Sequence, residues 1–183
     1  YPAQEGIGNY VTNLATRLNS RGHTVTLLTR GGRRAVQTRE SFGIVEQLPF
    51  LPVYPFHVHA HGIFVQRWIS KRANEFDLVH LHSPLPPPIR TTLPVITTFH
   101  TPVKPQYDRL VIESPVDRLY KLQAGVSHAI EKKLVARSDT VTAVSGTIAQ
   151  ELVDCGLLTS WPRVTPNGVD SLKFTPPDTP RIP

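Results

Sequence analysis

Apolar residues near the start of the chain repeat with the period of a helix. One stripe is formed, at steps of three and four residues, by Ile7, Tyr10, Val11, Leu14 and Leu18. The spacing predicts an amphipathic helix from Gly8 to Arg21, with Gly22 as the residue that ends it. The β-branched run over residues 23–29 predicts a strand directly after this helix.

Longer apolar runs predict the strands of a buried sheet. The runs FDLVHLH, PVITTFH and TVTAVS are nearly continuous, which is typical of parallel strands covered on both faces; they occupy residues 76–82, 94–100 and 140–145. Another strand is predicted within residues 42–50. The basic, glycine-bearing segment 30–40 is predicted to be a loop.

Further helices are predicted between these strands. Residues 61–75 have a helical pattern, and a later, longer helix is indicated by apolar residues that share one face, namely Val116, Leu119, Leu122, Val126, Ile130 and Leu134. A short helix follows the run TVTAVS. Thr147 and Gln150 have the spacing of a capping box for it, and Gly156 would end it.

The alternation of these helices and strands predicts an α/β fold, a doubly wound domain with a mainly parallel, Rossmann-like sheet. Such a sheet opens on a strand, and we expect its first strand to be missing ahead of the first helix. One domain is predicted over residues 1–170. The proline-rich segment 171–183 is predicted to be a linker. Ligands of such sheets bind beyond the carboxyl ends of the strands, so residues at those ends are the candidates for chemistry.

Composition narrows the class of protein and its partners. The chain has 183 residues, 39% of them hydrophobic, with no apolar run long enough to span a membrane. A single cysteine, Cys155, cannot form an internal disulfide, which favours a cytoplasmic location. The net charge of +6 favours anionic partners such as phosphates or acidic lipids. Nucleic acid is not expected, because no basic stripe interleaved with aromatic residues is present.

The segment EGIGNY admits two kinds of ligand. Its glycines match the start of the dinucleotide fingerprint G-x-G-x-x-G, and the arginines after the first predicted strand, Arg30, Arg33 and Arg34, suit an NADP 2′-phosphate. Val11 stands where the fingerprint needs its third glycine, and there it would hold the helix away from the sheet. A sugar substrate is the other ligand, with Gly6 allowing a backbone amide to approach a phosphate or hydroxyl.

Five segments, in order along nearly the full chain, carry a resemblance to a known family: EGIGNYVTNLATRLNSRGHTVTLLT, FDLVHLHSP, VITTFHT, DTVTAVS and PNGVDSLKFTP. Together they resemble the amino-terminal domain of a retaining, nucleotide-sugar-dependent glycosyltransferase of family 4, with the two-domain GT-B architecture. The resemblance implies transfer of a sugar from a nucleotide diphosphate donor to an acceptor with retention of anomeric configuration. This chain would be the acceptor-side domain, with little activity by itself. The alternative is an NADP-dependent reductase or epimerase.

The resemblance also implies roles for individual residues. His100 would be catalytic, lying against the transferred sugar and the acceptor, and His82 would border the same cleft. The other substrate-binding candidates are Gly6, Ile7, Gly8, Thr101, Lys104 and Ser145. Ser145 is equally suited to cap the helix that follows it. His80 is predicted to be structural.

No cofactor or metal is expected beside the nucleotide-sugar co-substrate. The segment HVHAH would place three imidazoles, of His57, His59 and His61, on one face if it were extended, but a fourth ligand and a known metal spacing are lacking. The acceptor is expected to bear a phosphate or to be lipid-linked. Trp68, with Arg67, Lys71 and Arg72, could contact an anionic membrane surface or pack into the core.

Overall fold

The computed structural model describes residues 6–53, 56–84, 86–109 and 111–169. The chain begins there with helix α1 (Gly6–Asn19), followed by strands β1 (Thr26–Arg30), β2 (Val36–Glu40) and β3 (Gly43–Leu48). The predicted linker 171–183 lies outside the described residues, so the predicted boundary after residue 170 stays a prediction.

The remaining elements alternate in the order that the sequence predicts, with one short helix added. Helix α2 (His57–Arg72), which continues into a single 3₁₀ turn, leads to β4 (Val79–His82) and β5 (Val95–Phe99). After these come α3 (Val103–Asp108), α4 (Pro115–Ala136), β6 (Thr140–Ala143), α5 (Gly146–Asp154) and β7 (Arg163–Val164). None of the helices in the described part of the chain is long and apolar enough to cross a membrane.

The predicted glycine lies in the turn that follows the end of α1. Gly22 has a φ of 87°, a left-handed conformation that suits glycine, and its N–H donates to the carbonyl of Asn19 at 2.9 Å. The described part of the helix already includes Gly6, two residues ahead of the predicted start, and the helix ends at Asn19 rather than Arg21. Ala15 is its buried contact with the core, where it packs with Phe42 and Val45.

The prediction of a loop over residues 30–40 is wrong for its second half. Residues 36–40 form β2, which pairs antiparallel with β3, while β1 pairs with β3 in parallel. The order β1-β3-β2 leaves β2 at an edge of this sheet. An edge strand keeps polar side chains exposed, so β2 lacks the apolar run by which the other strands were predicted.

A parallel sheet of order β4-β5-β6-β7 confirms the predicted α/β fold. Phe99 and Ala143, on neighbouring strands, are fully buried against Ala149 and Leu152 of α5. The two sheets share packing through α2. Its Val65 and Ile69 belong to a core cluster against which the β1 residue Leu28 and the β4 residues Val79 and Leu81 pack.

Two predicted helix starts need correction. The capping box predicted at Thr147 and Gln150 is wrong, because α5 begins at Gly146 and its N-cap is Ser145, whose hydroxyl accepts the N–H of Ile148 at 3.2 Å. The segment HVHAH is helical rather than extended, since α2 begins at His57. A helix does not align residues spaced two apart, so the face that would join these three imidazoles is not formed.

Candidate active site

Two histidines meet at the carboxyl ends of adjacent parallel strands. His82 is the last residue of β4, and His100 directly follows β5. Because the strands run in register, with His82 opposite Thr98, the two side chains come together: Nδ1 of His82 lies 3.3 Å from Nε2 of His100. We call these residues the histidine pair. The structure therefore brings together two of the predicted site residues.

Tyr10 of α1 contacts both members of the histidine pair. Its ring contacts the rings of both histidines edge-on, with centroids 4.8 Å from His100 and 5.7 Å from His82. The sequence pattern predicts Tyr10 only as part of the apolar stripe of α1. It does not predict the contact of Tyr10 with the histidine pair. A signal was available, because Tyr10 is one helical turn beyond Gly6, on the same face as the predicted glycine loop.

A chain of polar side chains continues behind the histidine pair. The ring centroid of His80 lies 4.1 Å from that of His82, and His80 Nε2 is 2.7 Å from the hydroxyl of Thr98. That hydroxyl in turn lies 2.8 Å from the hydroxyl of Thr142 on β6. His80 thus connects the histidine pair to hydrogen bonds that run across three parallel strands, which fixes the orientation of its ring.

The histidine pair is neutral at pH 7. Burial, the largest cause, together with repulsion from His80 and His100 lowers the pKa of His82 to about 3. Burial also lowers the pKa of His100 and of His80. A neutral imidazole carries one N–H, so one nitrogen of the 3.3 Å contact donates and the other accepts. The position of that proton decides whether Nδ1 of His100 donates to or accepts from a ligand.

The predicted glycine loop is the first turn of α1. Gly6 is the first residue of the helix, exposed, and a Cβ added to it would meet nothing within 4 Å. Ile7 and Gly8 follow it in the same turn and are half-buried. This turn directly precedes Tyr10, the α1 residue that contacts the histidine pair.

The segment after His100 is held by its own chain. The carbonyl of Thr101 accepts the Ser83 hydroxyl at 2.9 Å, and the Thr101 hydroxyl accepts from Gln106 at 2.9 Å. Lys104 forms an ion pair with Asp108 one turn along α3. Both predicted substrate contacts therefore already have partners, and a ligand would bind them in competition with, or in addition to, these contacts.

Ser145 performs the second of the two roles predicted for it. It lies beyond the carboxyl end of β6, and its hydroxyl caps α5. The hydroxyl is thereby used within the chain. Its backbone also belongs to the helix start, since its carbonyl accepts the N–H of Ala149 at 3.0 Å.

Fold and site together define a Rossmann-like α/β domain that carries, at the carboxyl ends of two parallel strands, a histidine pair in contact with α1. The sequence model of Glycosyltransferase Family 4 matches residues 5–171, and the chain belongs to this family. The fold is that of the amino-terminal half of a GT-B glycosyltransferase.

Known relatives agree with this family and extend beyond the chain. It is 29% identical over 195 residues to a D-inositol 3-phosphate glycosyltransferase of Acidothermus cellulolyticus, an alignment that covers 96% of this chain and 42% of the relative. Sucrose-phosphate synthase of Thermosynechococcus elongatus has a similar fold, with a TM-score of 0.66 and 15% sequence identity. That match covers 94% of this chain and 45% of the other. The chain thus spans less than half the length of both relatives.

Proposed function

We propose that the chain is the acceptor-side domain of a retaining glycosyltransferase, which moves a sugar from a nucleotide diphosphate donor to an acceptor. The observation that supports this most directly is the histidine pair beside the first turn of α1. A neutral, half-buried imidazole hydrogen-bonds a sugar hydroxyl, and helix amides favour a phosphate. The family match supports the same reaction class.

In this proposal the chemistry is divided between two domains. The relatives are more than twice as long as the aligned part of this chain, which leaves room for a second, donor-binding domain. That domain would supply most nucleotide contacts and the positive charge that stabilises the departing diphosphate, and no metal is required for this step. The described chain would contribute His100, the amides of α1 and the acceptor-facing surface, and the two halves would close over the bound substrates.

We further propose that the acceptor carries a phosphate. The net charge of +6 favours an anionic acceptor, and the relative from Acidothermus cellulolyticus is named for transfer involving inositol 3-phosphate. Reaction in the cytoplasm agrees with a chain that has one cysteine and hence no internal disulfide.

Contact with an anionic membrane would be additional to this function. It would depend on exposed Arg67 and Lys71, because Trp68 packs against the core and Arg72 lies over its ring, with Cζ 4.9 Å from the centroid. Trp68 is therefore not free to act as an interfacial anchor.

The competing reductase or epimerase function has less support. Val11 lies within α1, at the position of the third glycine of the dinucleotide fingerprint. The fingerprint uses glycine there for close packing of helix and strand. The family match favours the transferase.

Substitution of Gly6 by valine separates the two functions by ligand. In the full-length protein we expect titration with UDP- or GDP-sugars to give binding that NADPH does not displace. Gly6→Val should weaken that binding about tenfold or more, the effect of losing one hydrogen bond to a charged group. The Cβ has open space, so the fold should remain intact and the loss should fall on the ligand alone.

Gly125→Val is the matched control for this experiment. Gly125 is also an exposed helical glycine, in α4, with nothing within 4 Å of an added Cβ. Its substitution should leave sugar-nucleotide binding unchanged. Tight NADPH binding that is lost in Gly6→Val and kept in Gly125→Val would replace the glycosyltransferase proposal with the reductase.

A further inference from the structure

A fully buried carboxyl group lies behind the segment that carries His100. Glu131 of α4 has no exposed surface, and its Oε1 accepts the backbone N–H of Val103 at 2.8 Å. Val103 is the first residue of α3, three positions after His100. Of the N–H groups that open α3, this one is satisfied by a side chain from a different helix, which connects α4 to the active-site segment.

The second oxygen of this carboxyl group is buried without a hydrogen bond. Oε2 of Glu131 and Nδ1 of His128 both lack a hydrogen-bond partner in the described part of the chain, and they lie 3.9 Å apart. That separation is too long for a hydrogen bond but would close with a shift of about 1 Å. A buried acid is rarely kept for stability alone, because an apolar side chain of similar size would cost less to bury.

The charged and titratable groups around Glu131 come from three elements. His128 and Lys132 lie on α4 itself, Lys104 and Asp108 of α3 are close enough to His128 to change its pKa, and Cys155 at the end of α5 is close enough for Glu131 to raise its pKa. Burial raises the pKa of Glu131 to about 7, and the hydrogen bond from Val103 opposes that shift. Both protonation states of the carboxyl group are thus populated near neutral pH.

We propose that Glu131 is a positioning residue for the transferase reaction, which holds the segment from His100 to Val103 in place by accepting the Val103 N–H. The inference rests on the proposed function, because its consequence is a fixed place for His100 beside the substrates. Glutamine at this position would keep an acceptor oxygen and so keep this hydrogen bond, which we call the hold. Leucine would fill similar space but remove the hydrogen bond.

Amide hydrogen exchange and NMR of the 183-residue chain test the hold without any activity assay. In Glu131→Leu the Val103 amide should exchange about tenfold faster than in the wild type, the effect of one lost hydrogen bond, and the imidazole signals of His100 should shift. Glu131→Gln should stay close to the wild type in both. Unchanged Val103 exchange and unchanged His100 signals in Glu131→Leu would overturn the proposal.

Glu151→Leu is the matched control. Glu151 also holds the region of α3 from another helix, by an ion pair of 3.3 Å with Arg109, but the Arg109 side chain is 77% exposed. An exposed pair of this kind contributes little, so Val103 exchange and His100 signals should stay as in the wild type. Equal effects of the two leucine variants would show a general loosening of α3 and would contradict a specific role for Glu131.

A pH titration covers the case in which Glu131→Leu fails to fold. The Val103 amide shift of the wild type should show a step near pH 7 that is missing in Glu131→Gln. A raised acid pKa stabilises the folded state below pH 4.5, and this contribution is lost as the pH rises through about 7. The buried histidines act in the opposite direction, so stability of Glu131→Gln should rise with pH more steeply than that of the wild type. Identical dependence of stability on pH in the wild type and Glu131→Gln would overturn the proposed role of Glu131.

Kinetics of the full-length protein test the consequence for the reaction. Glu131→Leu should lower kcat severalfold more than it raises KM for the donor, and Glu131→Gln should restore kcat. If the NMR results hold while both variants transfer sugar normally, the hold exists but His100 is not used as proposed. If no transfer occurs in the wild type, the proposed function fails while the hold is still measured in the chain.

Discussion

Replacement of His100 by alanine should lower turnover of the full-length protein in the proposed transfer reaction by about a hundredfold or more, while nucleotide-sugar affinity changes much less. A positioned group that donates or accepts a proton contributes about 10² to 10⁴ in rate. His100 has the features of such a group: it follows the carboxyl end of β5, is half-buried, has a pKa that burial lowers, and contacts His82 and Tyr10. In our proposal it faces the sugar and the acceptor rather than the base, which separates the effect on kcat from the effect on binding.

The measurement is kcat together with the donor dissociation constant for the wild type, His100→Ala and a control at His23. His23 is an exposed histidine in the turn after α1, so His23→Ala should leave both quantities unchanged. Wild-type turnover in His100→Ala would make His100 a structural residue. An equal loss of affinity and turnover would place it in substrate binding instead.

The part of the site that could be predicted follows from strand order alone. The apolar runs that contain β4, β5 and β6 are long enough to identify buried parallel strands, and parallel strands end at the same edge of a sheet. His82 and His100 directly end two such runs. Their contact therefore follows from the place of each histidine at the end of its strand. That place can be read from the sequence without knowing where the helices pack.

The residues that were missed depend on packing between elements distant in the chain. Tyr10 belongs to a helical stripe typical of any core-facing helix, and its contact with the histidine pair depends on where α1 lies over the sheet. Glu131 is a charged residue in a helix, for which the usual expectation is an exposed side chain; its burial is caused by α3, which packs on α4. Strand β2 escaped prediction because an edge strand needs no apolar run.

Substitution of Gly43 by alanine should lower the free energy of unfolding by about 3 kcal/mol or more. Gly43 begins β3 with a φ of 143°, a region that side chains rarely adopt. A Cβ there would lie 2.1 Å from the carbonyl oxygen of Val25, which accepts the N–H of Ile44. The strained backbone and the clash each cost about 1 to 3 kcal/mol, and relief of the clash would separate β3 from the chain that leads into β1.

Two other glycines separate the causes of this loss. In Gly22→Ala the alanine must adopt the positive φ of 87°, but its Cβ has open space. The free energy of unfolding should therefore fall by about 1 to 2 kcal/mol. Gly32→Ala meets neither a positive φ nor an atom within 4 Å and should leave stability almost unchanged. Urea unfolding of the three variants, with m-values compared, gives the order Gly43, Gly22, Gly32 if the clash with Val25 dominates. A Gly43 variant no less stable than the Gly22 variant would mean that β3 can move away from Val25 without losing its pairing to β1.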